Sequence, residues 1–414
     1  MPGNVFLFLT IITAIASLVI IKTEPLPINV VVRGLSFWQW LCQPVFNPIN
    51  LPKDFPPIEI IKLDDPYPGT LLFTNATNPW QENVKKYGRY IAEVEKTSGK
   101  VKLYMRILTK AYLFQPQPEG YSYGILEKIG VNGAGHDGAY YLTDKNLKAV
   151  DKFKVSGVPK GTSDMHEFLR LSNGNALMLS YRTRWVNLET IGGFVKSLVY
   201  DPVIVEQTPE QKIVWLWDGK DYLNILDAAD GSPDANFNAK PPLKVDYAHA
   251  NSLATCSDGN ILLSMKHMDC VIKINRQTNK IVWVMGGVKC KNNQFIFLND
   301  PKQGFSHQHN VRSLPNGNLL LFDNGTLHSQ PESRAVEYEI DEQQKTAKLI
   351  WSYSNGQFTP AQGSVERLPN GNTLIGWGFA TQPFVSEVTS EKEVVLEMNL
   401  PQGQIAYRIY QGSK

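Results

Sequence analysis

Apolar stretches broken by Gly-Asn turns recur along the chain: LRLSNGNALMLSY at 169–181, NSLATCSDGNILLSMKH at 251–267, VRSLPNGNLLLFDNG at 311–325 and VERLPNGNTLIGWG at 365–378. Glycine at the turn accepts positive φ and the flanks alternate with period two, so each copy predicts a β-hairpin. A second pair of strands follows. It is clearest as CVIKI at 270–274, the turn NRQTNK and IVWVM at 281–285. It recurs in AVEYEIDEQQKTAKLIWSY at 335–353, FVSEVTSEKEVVLEM at 384–398 and, earlier, YIAEVEKTSGKVKLYMRI at 90–107. Four antiparallel strands per unit, repeated roughly every 50 residues, is the pattern of a propeller blade. Units beginning near Gly69, Phe114, His166, His249, His309 and Gln362 number six, and none contains a long amphipathic helical period. The pattern therefore predicts an all-β fold, a six-bladed β-propeller over residues 59–414.

The amino-terminal end departs from this pattern. Residues 5–21, VFLFLTIITAIASLVII, are 17 uncharged residues ending at Lys22. As an apolar helix rising about 1.5 Å per residue this run just crosses a bilayer, and Ala14-Ile15-Ala16 offers a small-residue cleavage pattern. Residues 1–22 are expected to be an export signal or an uncleaved membrane anchor, which would place the domain outside the cytoplasm. Seven prolines between Thr23 and Pro57 exclude continuous helix or central strand, so 23–58 is expected to be a Pro-rich tether.

Charge and composition narrow the function. Lys and Arg number 41 against 39 Asp and Glu, a net charge of +2, so no basic excess is available to neutralise a nucleic-acid backbone. With 43% hydrophobic residues the chain is far too apolar for disorder. The four cysteines, Cys42, Cys256, Cys270 and Cys290, have no CxxC or zinc-ribbon spacing, and spacing does not fix their pairing. The sequons at Asn75 and Asn324 carry no weight in a chain this rich in Asn.

Histidine is scarce, seven in 414 residues. His166 stands eight residues before Gly174, His309 eight before Gly317 and His249 ten before Gly259, and a difference of two preserves the strand face. The first strand of a blade lines the central channel, so three consecutive blades bring a histidine to one mouth. Asp164 and Asp246, just upstream of His166 and His249, either hold imidazole tautomers or cap blade loops. Lys266 and His267, placed on the second strand of the fourth blade, add a cation at the same depth. Such a funnel suits an oxyanion with several oxygens. It equally suits a three-histidine metal site, and spacing does not separate the two.

From roughly Gly69 onward the chain resembles the aryl-sulfate sulfotransferases of the bacterial, export-linked type. The segments that carry this are DYAHANSL, MKHMDCVIKINRQTNKIVWVMGG, KNNQFIFLNDPKQGFSHQHNVRSLPNGNLLLFDNG, SRAVEYEID and RLPNGNTLIGWG. The resemblance implies a six-bladed propeller that moves a sulfuryl group from a phenolic sulfate ester to a second phenol, with no cofactor, no metal and no nucleotide sulfate donor. No Gly-rich phosphate loop appears in the chain. By the same resemblance, His309 in HQHNV matches the transiently sulfurylated histidine, His166 the DxH histidine and His249 the HxNS histidine. The family arginine of the SxRH segment falls on Lys266. This is a departure: an ammonium is a point charge where a guanidinium is a planar fork. Two other functions fit the same residues, an exported propeller that binds sulfated or phenolic ligands without turnover and a metal-dependent hydrolase.

Overall fold

The computed structural model describes residues 50–128, 137–159, 161–191, 194–229 and 243–413. The expected signal or anchor at 1–22 and the tether up to residue 49 lie outside the described residues. Among the described residues no helix is long and apolar enough to cross a membrane.

The hairpin turns fall on the Gly-Asn pattern. Gly174, Gly259, Gly317 and Gly371 have φ of 85°, 79°, 88° and 92°. Around the last three, a Cβ would meet nothing within 4 Å. Left-handed backbone, and not shortage of room, therefore requires glycine there.

The described strands form six sheets, one per blade, antiparallel except where the short strands Leu243–Val245 and Ile296–Leu298 add parallel pairings to blades 3 and 5. Blade 2 runs from its inner strand Ala111–Gln117 through Gly120–Lys128 and Asp137–Asp144 to Ala149–Phe153. Blade 3 comprises Gly161–Arg170, Ala176–Val186, Ser197–Gln207 and Ile213–Asp218. Blade 4 comprises Ala250–Thr255, Ile261–Met265, Cys270–Ile274 and Ile281–Gly286. Blade 5 comprises His309–Ser313, Leu319–Asp323, Arg334–Asp341 and Thr346–Tyr353, and blade 6 Ser364–Arg367, Thr373–Gly376, Val385–Val388 and Val394–Asn399. Blade 1 is composite. Its strands Thr70–Thr77, Arg89–Glu95 and Val101–Ile107 take their innermost partner from Gln404–Gln411, while Glu59–Leu63 adds to the outer edge of blade 6. The unit expected to begin near Gly69 thus starts on a second strand. Taking the innermost strand of blade 1 from the carboxyl-terminal end ties the last strand to the first blade and closes the ring.

The core lies between blades. One apolar cluster fills each of the six interfaces. Leu177, Leu179 and Tyr181 face blade 4, whereas Ala176 and Met178 face blade 2. A strand that feeds two cores is apolar on both faces, which is why ILLSM and LLLFD are continuously buried where simple alternation would expose every second residue.

Candidate active site

Inner strands bulge where the polar residues gather. Asp164–Glu167 stand opposite Leu179 alone, Asn251 is the extra residue of blade 4, Asn310 and Val311 together face Leu321 in blade 5, and Tyr407 and Arg408 together face Thr74 in blade 1. Bulges re-aim side chains. His249, Asn310 and Gln362 also hold positive φ, 46°, 54° and 65°, a conformation costly for these residues and retained where the surroundings enforce it.

The three predicted histidines converge. The rings of His166 and His249 meet edge to face at 5.2 Å. Lys266 lies in the turn after Ile261–Met265, not on that strand as expected, and its backbone N–H donates to the His249 carbonyl at 3.0 Å. His267, in the same turn, stacks obliquely on His249 at 4.6 Å. His309 begins the inner strand of blade 5 and is 2% exposed, close enough for the charges of Lys266, His249 and His166 to act on it. Burial first, then those charges, hold its imidazole well below the ordinary value.

Their Nδ1 partners differ. Asp164 Oδ1 lies 2.6 Å from His166 Nδ1 and Asp246 Oδ2 lies 2.6 Å from His249 Nδ1. These carboxylates also accept from the histidines' own backbone N–H groups, each at 2.9 Å. Both therefore orient imidazoles, one of the two roles left open by the sequence. His309 Nδ1 meets the His307 carbonyl at 3.1 Å and Asn324 Oδ1 at 2.7 Å. Asn324 is oriented by its own Nδ2, which donates to the carbonyls of Thr359 and Gln362 at 2.9 and 3.0 Å. Two acceptors facing Nδ1 fix the proton there. Nε2 is left as the acceptor nitrogen, and the Gln362 backbone N–H points at it from 3.3 Å.

Asp269 anchors the SHQH segment: its Oδ1 accepts from Ser306 Oγ at 3.1 Å and from the His307 N–H at 2.6 Å. Deeper along the same strands, Glu167 of blade 3 takes Arg408 of blade 1 and Arg312 of blade 5, each at 3.0 Å. Alternate blades thus meet on the axis and close it beneath the histidines. Beside the site, a cavity of about 160 Å³ is lined by Tyr112, Tyr407, Phe379 and Gln362. It borders His309 through Gln362 and His166 through Tyr407, whose ring stands 5.9 Å from that imidazole.

Asn324, Asp269, His307 and Gln362 were not legible as site residues. Asn324 and Asp269 each follow a hairpin directly, in LLLFDNG and SMKHMD, and that position is the signal that could have found them. As sequons, Asn324 and Asn75 are both buried with their amides donating internally, to Gly88 and Gln404 in the case of Asn75. Among the described residues, Asp246, His249 and His267 offer three possible metal-ligand atoms within 4.8 Å of one another. The sequence set of His166, His249 and His309 is a different group, and Asp246 already binds both of its neighbours, His267 Nδ1 through its carbonyl at 2.7 Å.

A family model described as arylsulfotransferase (ASST) matches residues 138–411. Arylsulfate sulfotransferase AssT of Escherichia coli O6:H1 (strain CFT073) is 24% identical over 359 residues, covering 68% of this chain and 57% of that protein. The AssT of Lelliottia amnigena is 24% identical over 287 residues, covering 55% of this chain and 47% of its own length. The chain thus spans about half the length of these relatives. Among solved structures, a protein of unknown function from Bacteroides caccae overlays with a TM-score of 0.49 at 11% identity, over 83% of this chain and 98% of that one.

Proposed function

This chain belongs to the arylsulfotransferase family, and from that premise we propose that it transfers a sulfuryl group from an aryl sulfate ester to a phenol, with His309 as the nucleophile and no nucleotide donor. One observation carries the assignment: His309 has its proton fixed on Nδ1 by two neutral acceptors and keeps Nε2 unprotonated, its lone pair held by the Gln362 N–H that an incoming sulfuryl group would displace. A neutral imidazole is a competent nucleophile. Nε2 attacks sulfur, the bond from sulfur to the aryl oxygen breaks, and the leaving phenolate takes a proton from His166 or His249. Their carboxylate partners suit them to carry that proton, as the partner of His309 does not. Lys266 offsets the charge on the peripheral sulfuryl oxygens, where a loose transition state concentrates it. A second phenol then gives its proton back to the same histidine and attacks the sulfohistidine, restoring His309. The aromatic walls of Tyr112, Tyr407 and Phe379 suit a phenyl ring.

Mass spectrometry of protein quenched during turnover of an aryl sulfate should locate the sulfuryl group on His309. Finding it on His166 or His249 would overturn the assignment. The proximity of Asp246, His249 and His267 favours a second function, metal-assisted hydrolysis. Exhaustive chelation is expected to leave the transfer rate unchanged, and activity lost on chelation and restored by zinc would establish the metal. The apolar run at 5–21 supports an exported or membrane-anchored domain. Full protection from external protease in intact cells with the outer layers permeabilised would refute that placement.

A further inference from the structure

A cavity of about 440 Å³ opens beside blade 4, lined in part by Met265, Met268, Cys270 and Cys290, and none of the described histidines lines it. Cys270 opens the third strand of the blade and pairs directly with Gly286 on the fourth. Residues so paired stand roughly 5 Å apart at Cβ, but Gly286 has no side chain. A Cβ built on it would lie 2.5 Å from Cβ and 2.8 Å from Sγ of Cys290. Cys290 therefore fills, from the following turn, the place opposite Cys270, and the two thiols hydrogen-bond. That arrangement fits a disulfide, whose Cβ atoms lie about 3.5–4.5 Å apart.

We propose that Cys270 and Cys290 form a redox modification site, closed to a disulfide by a low-molecular-weight disulfide oxidant such as oxidised glutathione. The Cys290 thiolate attacks one sulfur of oxidised glutathione and releases one glutathione thiolate. Cys270, having lost its proton to solvent, attacks the Cys290 sulfur and releases the second. Two protein thiols are oxidised and one glutathione disulfide is reduced to two thiols. The hydrogen bond from Cys270 holds Cys290 below the ordinary thiol value and Cys270 well above it, which suits Cys290 to meet the oxidant first.

The link lies against the anchor of the histidine segment. Asp269, which precedes Cys270, holds Ser306 and His307, and the Cys270 carbonyl accepts from Gln308 Nε2 at 2.7 Å. From the other side, the turn leading to Cys290 packs so closely that a Cβ on Gly287 would lie 2.1 Å from the Phe305 carbonyl oxygen. Closing the disulfide ties these two supports of residues 305–309 together.

The test is to equilibrate the full chain with excess oxidised glutathione, then measure intact mass, map its peptides without reductant and repeat after reduction. The expected product is lighter by two hydrogens, contains a Cys270–Cys290 cross-linked peptide and melts a few degrees higher than the reduced form. Cys290→Ser should lose both the mass change and the melting shift. A stable glutathione adduct on Cys290, a link to Cys42 or Cys256, or Cys270 and Cys290 themselves still open to alkylation in unfolded samples after oxidation would overturn the proposal. The parent chain's mass decides the matter even if the variant does not fold.

Discussion

At His309 the Nδ1 proton meets a carbonyl and a carboxamide, while at His166 and His249 the same atom meets a carboxylate. Under the proposed transfer Asn324 is a positioning residue whose neutrality matters. Asn324→Asp, nearly isosteric, places a carboxylate against His309 and favours the imidazolium. Sulfurylation at pH 7 should fall at least about tenfold, and the acid limb of the pH–rate profile should move upward. An unmoved acid limb would leave Asn324 a packing role only. In the parent, His309 is held neutral in the fold, so the unfolded chain protonates first. Its contribution to stability is complete above pH 6.5 and is lost as pH falls from 6.5 toward the depressed folded value, which urea midpoints across that range would reveal. If Lys266 holds the sulfuryl group as proposed, Lys266→Arg should raise kcat more than it lowers KM, because a guanidinium fork orients oxygens that an ammonium only attracts. Lys266→Met should cost about 2–4 kcal/mol in transition-state stabilisation, and two parental rates would exclude Lys266 from the site. The carboxylate partners were visible as candidates in the sequence because DMH and DYAH set them two and three residues away. Asn324 is fifteen residues from His309, so its role exists only once the hairpin of blade 5 has folded back.

The Gly-Asn hairpins were legible because a left-handed turn selects glycine locally, whatever the strands later pack against. Gly317→Ala should cost about 1 kcal/mol from φ alone, with Gly317→Asn costing less, both read from denaturant midpoints. Gly363 tests the contrast. It combines a φ of 101° with a Cβ position 2.4 Å from the Phe322 ring, so its alanine variant should destabilise more than that of Gly317. Bulges leave no such local mark. Nothing in TSDMHEF announces that four residues oppose one, and yet that slip is what turns His166 and Glu167 toward the axis.

Six blades could be counted from the repeating units, but the composite first blade could not be foreseen, because pairing Gln404–Gln411 with Thr70–Thr77 depends on ring closure rather than on any nearby pattern. That closing strand also brings Arg408 to Glu167. Arg408→Met should destabilise by about 3 kcal/mol by leaving a buried carboxylate with one cation where it had two. A parental unfolding midpoint would show that Arg312 alone suffices. The same pair makes the funnel a cul-de-sac. Under the proposed transfer, a departing phenol and an arriving one must use one doorway, so a phenol that lingers can recapture the sulfuryl group it has just released. Donor turnover should then include idling cycles, visible as isotopically labelled phenol entering the pool of its own sulfate ester when no other acceptor is present, and net throughput would be governed by how quickly the doorway clears.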